Sequence, residues 1–480
     1  MDVQTEKFIQ ISRATIQDTR LQRAIHKATS RAVEDRNQAA AAVENWEGLR
    51  NRARAIKEET IERLDEYLSL LADSVVRAGG TVHWARTGAD AADYITGLAK
   101  ARGVKTVVKG KSMTTEEIGL NERLEEIGVE PVETDLGEYV VQMAGERPFH
   151  IIAPAIHKTR QDIGHLFAEK LGVDYEEDPE RLTKIARKTL REVFCSAGMG
   201  ITGVNFAVAE TGTIVVVENE GNGRLSTSLP PVYVALMGME KVIPTLEDLS
   251  VFLALLPRSA TGQKSTSYVS LLTGPRRPGE VGGPEELHLV IMDNGRSRIL
   301  RDREMRESLY CIRCGACLNI CPIYNKVGGH AYGWAYSGPI GAVITPQLVG
   351  LERAKDLPAA SSLCGACRDI CPLKIDIPHM LLNLRHRTVE GGEDGSGPAS
   401  KPGWMERAVM KLWAMSMRSP WAYHLASRAA ALLQRPYVKK GRIKRLPSFL
   451  SRWTDHRDFP PLASKPFRTL WKERLSRDGD

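Results

Sequence analysis

Two short stretches hold seven of the eight cysteines, CIRCGACLNICP at 311–322 and SSLCGACRDICP at 361–372. Aligned without gaps, seven of their twelve positions are identical, so the second reads as a repeat of the first. The first supplies Cys311, Cys314 and Cys317 at successive three-residue intervals, then Cys321 followed by Pro322. That spacing lets three thiolates cup one face of an iron–sulfur cubane while the fourth turns away toward a second cluster. Gly315 allows the backbone to come close. The second stretch supplies Cys364, Cys367 and Cys371-Pro372, and Ser361 stands where the first has Cys311.

Crossed ligation assigns Cys311, Cys314, Cys317 and Cys371 to cluster one, a [4Fe-4S] centre. Cluster two takes Cys364, Cys367 and Cys321. With three cysteines it is either [3Fe-4S], or [4Fe-4S] with a non-cysteine or open corner near Ser361. Structural zinc prefers four ligands, usually in paired Cys-x2-Cys units across a longer loop. A duplicated run of three cysteines closing on Cys-Pro favours iron–sulfur. Cys195 stands alone in REVFCSAGMG and reads as a buried structural thiol.

The elements that must position these loops follow from periodicity. Residues 1–75 are rich in Ala, Glu, Arg and Leu and read as an N-terminal helical region ending at Gly79-Gly80. Residues 76–300 alternate strand and helix. TVHWA, KTVVKG, VEPVETD, FHIIAP, GVNFAVAE, GTIVVVEN, VYVALMG and ELHLVIMD are the strands; AADYITGLAKARG and TTEEIGLNERLEEIG are helices. The alternation predicts an α/β domain with a largely parallel sheet. Residues 301–388 form the two-cluster region, 389–402 a Gly/Ser/Pro-rich linker, and 403–480 a basic tail, helical from Trp404 to about Gln434.

Charge separates the tail from the rest. The chain carries +7, but residues 401–480 carry +12, leaving −5 on the first 400. Five of the eight tryptophans lie there: Trp404, Trp413, Trp421, Trp453 and Trp471. Tryptophan anchors among basic residues suit a partner-docking arm or an interfacial membrane segment; no fold that reads nucleic acid accompanies the charge. No run reaches the roughly 18 apolar residues of a spanning helix. The N-terminus has no apolar core of a secretory signal. Clustered thiols without such a signal point to metal rather than disulfides. The expectation is a cytoplasmic protein, peripheral at the inner face of the membrane if the tail binds lipid.

Several blocks beyond the cysteines are similar to one family: VKGKSMTTEEIGLNERLEEIGVEPVETDLGEYVVQ (108–142), HIIAPAIHK (150–158), AETGTIVVVENEGNGRLSTSLPPVYVALMGMEKVIPTLEDL (209–249) and PEELHLVIMDNGRS (284–297). Together with the SSLCGAC form of the second loop, they resemble the lactate-utilisation protein B family, LUD-domain iron–sulfur proteins of bacterial L-lactate oxidation. The resemblance implies a multidomain fold: a LUD-type α/β domain related to isomerases and CoA-transferases, a ferredoxin-like helical two-cluster domain, and the basic helical tail. It implies electron transfer through two clusters in a multi-protein system taking L-lactate to pyruvate. The chain would be a subunit of an NAD-independent L-lactate dehydrogenase complex, with lactate-utilisation proteins A and C as partners and a downstream acceptor such as a quinone. Two alternatives remain: a non-catalytic iron–sulfur scaffold linking partners, and a CoA- or sugar-phosphate-handling enzyme with added clusters.

Outside the cysteines no catalytic residue is assigned. GMGITG (198–203) has dinucleotide-like glycine spacing but lacks the strand–loop–helix context. KGKS (109–112) ends a strand and opens a helix, so Lys109 and Lys111 are candidates for a carboxylate or phosphate. ETGTIVVVENEGNGR offers Glu210, Thr211, Glu218, Asn219 and Arg224. His150 and His157 read as structural histidines.

Overall fold

The computed structural model describes residues 3–391, 403–446, 451, 454 and 457–475. Ten strands lie in the α/β region. They are β1 (Thr81–Ala85), β2 (Thr106–Lys109), β3 (Glu130–Glu133), β4 (Met199–Gly203), β5 (Phe206–Val208), β6 (Thr213–Glu218), β7 (Val232–Gly238), β8 (Val242–Ile243), β9 (Tyr268–Leu272) and β10 (Glu286–Met292). Six form one sheet in the order β1-β10-β7-β4-β2-β3, every pairing parallel. The continuous apolar run of β7 is buried at all seven positions, as a strand covered on both faces must be. Its side chains alternate between two cores. Tyr233, Ala235 and Met237 face the large core shared with the cysteine region; Val232, Val234 and Leu236 face the helix Gly88–Ala101.

Four strands leave that sheet for a second one, β8-β5-β6-β9, in which β6 pairs antiparallel with both neighbours. GVNFAVAE and GTIVVVEN therefore form strands, but not of the parallel sheet. FHIIAP is no strand. Phe149 donates its amide to Pro154 O at 2.9 Å, and His150 Nδ1 accepts the amides of Ile152 and Ala153, so these groups are satisfied locally rather than in a ladder. MGITG, whose glycine spacing is only superficially dinucleotide-like, is strand β4. Gly200 is required there because a Cβ would lie 1.8 Å from Ser226 O. TTEEIGLNERLEEIG is broken into Met113–Glu117 and Leu120–Glu125 by Gly119 at φ 63°.

The N-terminal helices Phe8–Gln17, Thr19–Ala41 and Trp46–Glu62 pack on the cysteine region, and Leu64–Arg77 packs on β1 and β8. Arg50 donates to Cys371 O at 2.6 and 3.1 Å and to Asp369 O at 2.9 Å, and Arg36 donates to Ile370 O at 3.1 Å. The helical N-terminus thus clamps the end of the second cysteine loop.

Residues Met1–Ser400 form one unit and Lys401–Asp480 a second. The second has helices Trp404–Met417 and Pro420–Leu433, a hairpin of β11 (Val438–Lys439) and β12 (Arg442–Ile443), and the helix Phe467–Leu475. The expected single tail helix is two, because Ser419 caps and Pro420 starts a new one. Trp404, Trp413, Trp421 and Trp471 are exposed; Trp453 lies outside the described residues. Of the expected linker, Val389 and Glu390 finish the helix Ile377–Glu390, and 392–402 lie outside the described residues. Among the described residues no helix is long and apolar enough to cross a membrane.

Candidate metal centre and the cavity beside it

The two cysteine loops share a backbone. Arg313 (φ 60°) and Leu363 (φ 55°) occupy equivalent left-handed positions, as do Gly315 (φ 75°) and Gly365 (φ 85°). Each glycine opens a five-residue helix, Ala316–Ile320 or Ala366–Ile370, and the cysteine after each helix, Cys321 or Cys371, is extended. The prolines that follow turn the chain away. Backbone amides point at the side chains: Arg313 N–H donates to Cys311 Sγ at 3.4 Å, and Tyr324 N–H to Cys321 Sγ at 3.5 Å.

Cys311, Cys314, Cys317 and Cys371 line one small cavity, closed by Ile340, Leu373, Ile375 and Ile377. Burial drives the Cys314 and Cys317 thiols far above the usual range. Cys371 is next to Cys314 there, and Cys311, Cys314, Cys367 and Cys371 surround Cys317. Burial lifts Cys371 to about 11, and burial with Cys321 and Cys364 lifts Cys367 to about 12. Thiols apposed in this way lose their protons only against a strong positive charge, which is the donor set an iron–sulfur core requires. Cys364 is exposed, its thiol drawn down by the Ala366 amide. Tyr332 is fully buried among Cys317, Cys321 and Cys367, and its hydroxyl has no partner among the described residues. A buried donor left unpaired beside these thiols fits a sulfur acceptor there.

A second cavity, of about 290 Å³, opens at the carboxyl ends of β2 and β4, where parallel sheets bind ligands. Lys111, Asp135, Glu218, Glu220, Lys241 and Arg313 line it. Ile312 and Arg313, between Cys311 and Cys314, line both cavities. Arg313 donates through Nη2 to Glu240 Oε1 at 3.5 Å and lies 4.8 Å from the Tyr336 ring centroid, while its buried Nη1 has no partner. Lys241 has no hydrogen-bond or ion-pair partner among the described residues. Burial, then the Arg313 charge, lowers it to about 8. Burial raises Glu220 to about 7, with Asp135 adding to the rise and Lys111 opposing it.

The sequence candidates separate here. Lys109 is fully buried, donates to Glu133 and Asn121, and lies 4.0 Å from Glu116, so it is a core cation and not an anion binder. Lys111 reaches the cavity and donates to Ile152 O. Glu218 and Asn219 also line it, but Glu210 does not: its carboxylate accepts the Leu246 amide at 2.7 Å, at the start of the helix Leu246–Thr261. Thr211 bonds Thr213, and Arg224 is exposed. His150 is buried, its Nε2 3.0 Å from Asn319 Oδ1, and burial brings it down to about 3. His157 pairs with Glu146 at 2.7 Å.

Cys195 is exposed, not buried. The helix Pro179–Ser196 buries Leu182, Ala186, Leu190 and Phe194, one stripe at four-residue steps, and Cys195 falls a third of a turn past it. Lys241 and Arg313 were missed. Their signal was their place: Lys241 in the turn after β7, Arg313 between two metal-spaced cysteines.

An α/β domain with a cavity at its strand ends, abutted by paired cysteine loops, defines an iron–sulfur protein built on a parallel sheet. Comparison with known proteins agrees. Residues 68–292 match the LUD domain model, 307–375 the 4Fe-4S dicluster domain, and 383–476 the model for Lactate utilisation protein B, C-terminal. Lactate utilization protein B 2 of Bacillus mycoides (strain KBAB4) is 46% identical over 480 residues, covering 100% of this chain and 99% of its own. Lactate utilization protein B of Bacillus thuringiensis (strain Al Hakam) matches at the same identity and coverage. A solved DUF162 family protein from Deinococcus radiodurans aligns with 48% of this chain and 98% of its own at 16% identity, with a TM-score of 0.27. The chain belongs to the lactate-utilisation protein B family.

Proposed function

We propose that this chain is the iron–sulfur electron-carrying subunit of a multi-protein, NAD-independent system that oxidises L-lactate to pyruvate, acting with lactate-utilisation proteins A and C. The name its relatives carry supports the lactate assignment. The observation that carries the redox part is the gathering of Cys311, Cys314, Cys317 and Cys371, from two loops fifty residues apart, around one small cavity that shares Ile312 and Arg313 with a larger one.

Cys311, Cys314, Cys317 and Cys371 would hold a [4Fe-4S] cluster, and Cys321, Cys364 and Cys367 a second whose fourth corner lies near Ser361. Each cluster, when bound, takes up and releases one electron. The chain's own residues give the path its ends. The first thiol set is enclosed and abuts the cavity; the second includes the exposed Cys364, through which a partner gains access. Arg36 and Arg50 fix the Cys371 end of the loop. The basic tail, with four exposed tryptophans, serves to dock a partner.

The test is iron and sulfide content with electron paramagnetic resonance on anaerobically purified protein, oxidised and then reduced. Two clusters require about seven to eight irons per chain. About four would leave only the first, and zinc in place of iron would remove the redox reading.

A further inference from the structure

Two of the cavity's cations keep spare donor capacity. Lys241 has no hydrogen-bond or ion-pair partner among the described residues, and Arg313, paired with Glu240 through Nη2, has a buried Nη1 with none, while the third, Lys111, is engaged by Ile152 O and sits among Asp135 and Glu220. A buried guanidinium N–H left without an acceptor is costly, and an anion in the cavity would complete it. The remaining lining divides usefully. Asp135, Glu218 and Glu220 offer hydrogen-bond acceptors, and Ile152, Val216 and Leu256 offer apolar surface. At about 290 Å³ the space suits a small organic acid.

We propose that this cavity is a binding site for a small 2-hydroxy carboxylate, its carboxylate held by Lys241 and Arg313 and its C2 hydroxyl turned toward the acidic side. The proposal rests on the redox reading above and gives it a substrate position: Arg313 and Ile312 place the bound acid against the wall of the first thiol set. A carboxylate fits better than a phosphate. A phosphate dianion carries its charge on three oxygens around one tetrahedral centre and would bring charged oxygen against Asp135, Glu218 or Glu220, whereas a hydroxy acid is anionic at one end and an O–H donor at the other. Lys241 and Arg313 are positioned from different elements, the turn Met239–Lys241 after β7 and the first cysteine loop, so the site exists only where sheet and loop meet.

The experiment is calorimetric titration of the anaerobic, cluster-loaded full-length protein with L-lactate and with pyruvate, inorganic phosphate serving as competitor. The resonance signal of the reduced protein is followed in parallel. The expected result is saturable binding of one L-lactate per chain, weaker binding of pyruvate, a shifted signal on binding, and no competition from phosphate. Lys241→Met should weaken binding at least tenfold and Lys241→Arg should restore most of it, both with unchanged iron content. Ala260→Phe, which adds bulk to the cavity wall without touching charge, should abolish binding as well. Absence of saturable binding in protein with full clusters overturns the site and leaves the redox reading standing. So does binding untouched by both Lys241→Met and Ala260→Phe. Equal competition by phosphate overturns the carboxylate assignment. Loss of iron or of reducibility in the unaltered protein would instead strike the redox reading itself.

Discussion

The amide of Leu363 donates to the Ser361 hydroxyl at 3.1 Å, the same bond that Arg313 makes to Cys311 Sγ at 3.4 Å fifty residues earlier. Both donors are left-handed, so the two loops hold position 361 as they hold position 311. The Ser361 oxygen is therefore kept where a ligand sulfur sits in the other copy. The expected outcome is that Ser361→Cys yields protein retaining about eight irons through brief air exposure, a four-cysteine cluster needing no other ligand. Ser361→Ala should instead lose about one iron per chain and show a stronger three-iron resonance signal. Iron analysis with resonance spectroscopy checks both. An alanine variant indistinguishable from the parent would show that the hydroxyl serves the turn alone.

Glu117 and Arg296 meet in a bidentate pair at 2.8 and 2.9 Å, both fully or nearly fully buried. Tyr336 adds a bond to Glu117 at 2.6 Å, and Arg296 reaches Glu240 at 2.7 Å. This network ties the helix after β2, the helix after β10 and the cysteine region into one block. Glu117→Gln leaves a buried guanidinium short of charge, which costs about 3 kcal/mol. The expected reading is a lower urea midpoint with an unchanged slope in anaerobic unfolding followed by circular dichroism.

The same network sets an acid limit. Burial alone would raise the Glu240 carboxyl, but Arg296 and then Arg313 outweigh it and bring it to about 2. A carboxyl depressed on folding contributes stability above its unfolded value, near 4.5, and that contribution is lost as pH falls toward 2. The stability advantage of the unaltered chain over Glu240→Gln should then be constant from neutral pH to about 4.5 and shrink below. Far-ultraviolet dichroism across that range tests it, with cluster bleaching followed separately in the visible.

What the sequence disclosed was what neighbours in the chain decide. The cysteine spacing is local, and β7 is an unbroken apolar run that only a doubly covered strand explains. FHIIAP looked equally strand-like, but the His150 imidazole and Pro154 carbonyl take its amides, a choice made by side chains and not by hydropathy. Cys195 was misplaced by one step of helical phase next to Phe194. Lys241 and Arg313 became a pair only through the meeting of sheet and loop, which no window along the chain contains. KGKS was legible as a strand-to-helix loop, yet the roles of its two lysines were not, since Lys111 lines the cavity while strand alternation turns Lys109 into the core.

That division of labour within KGKS gives the last prediction. Lys109 is fully buried against Glu133 and Glu116, so Lys109→Met strands two carboxylates in the core and should cost about 3–5 kcal/mol. Lys111→Met removes one bond to Ile152 O at the cavity edge and should cost about 1 kcal/mol. Urea midpoints of the two variants, measured side by side, give the comparison. A combined Lys109→Met and Glu133→Leu variant should recover a substantial part of the single-variant loss, because two apolar groups of similar volume replace a buried pair with little net change. Equal midpoints for Lys109→Met and Lys111→Met would contradict the assignment of Lys109 to the core.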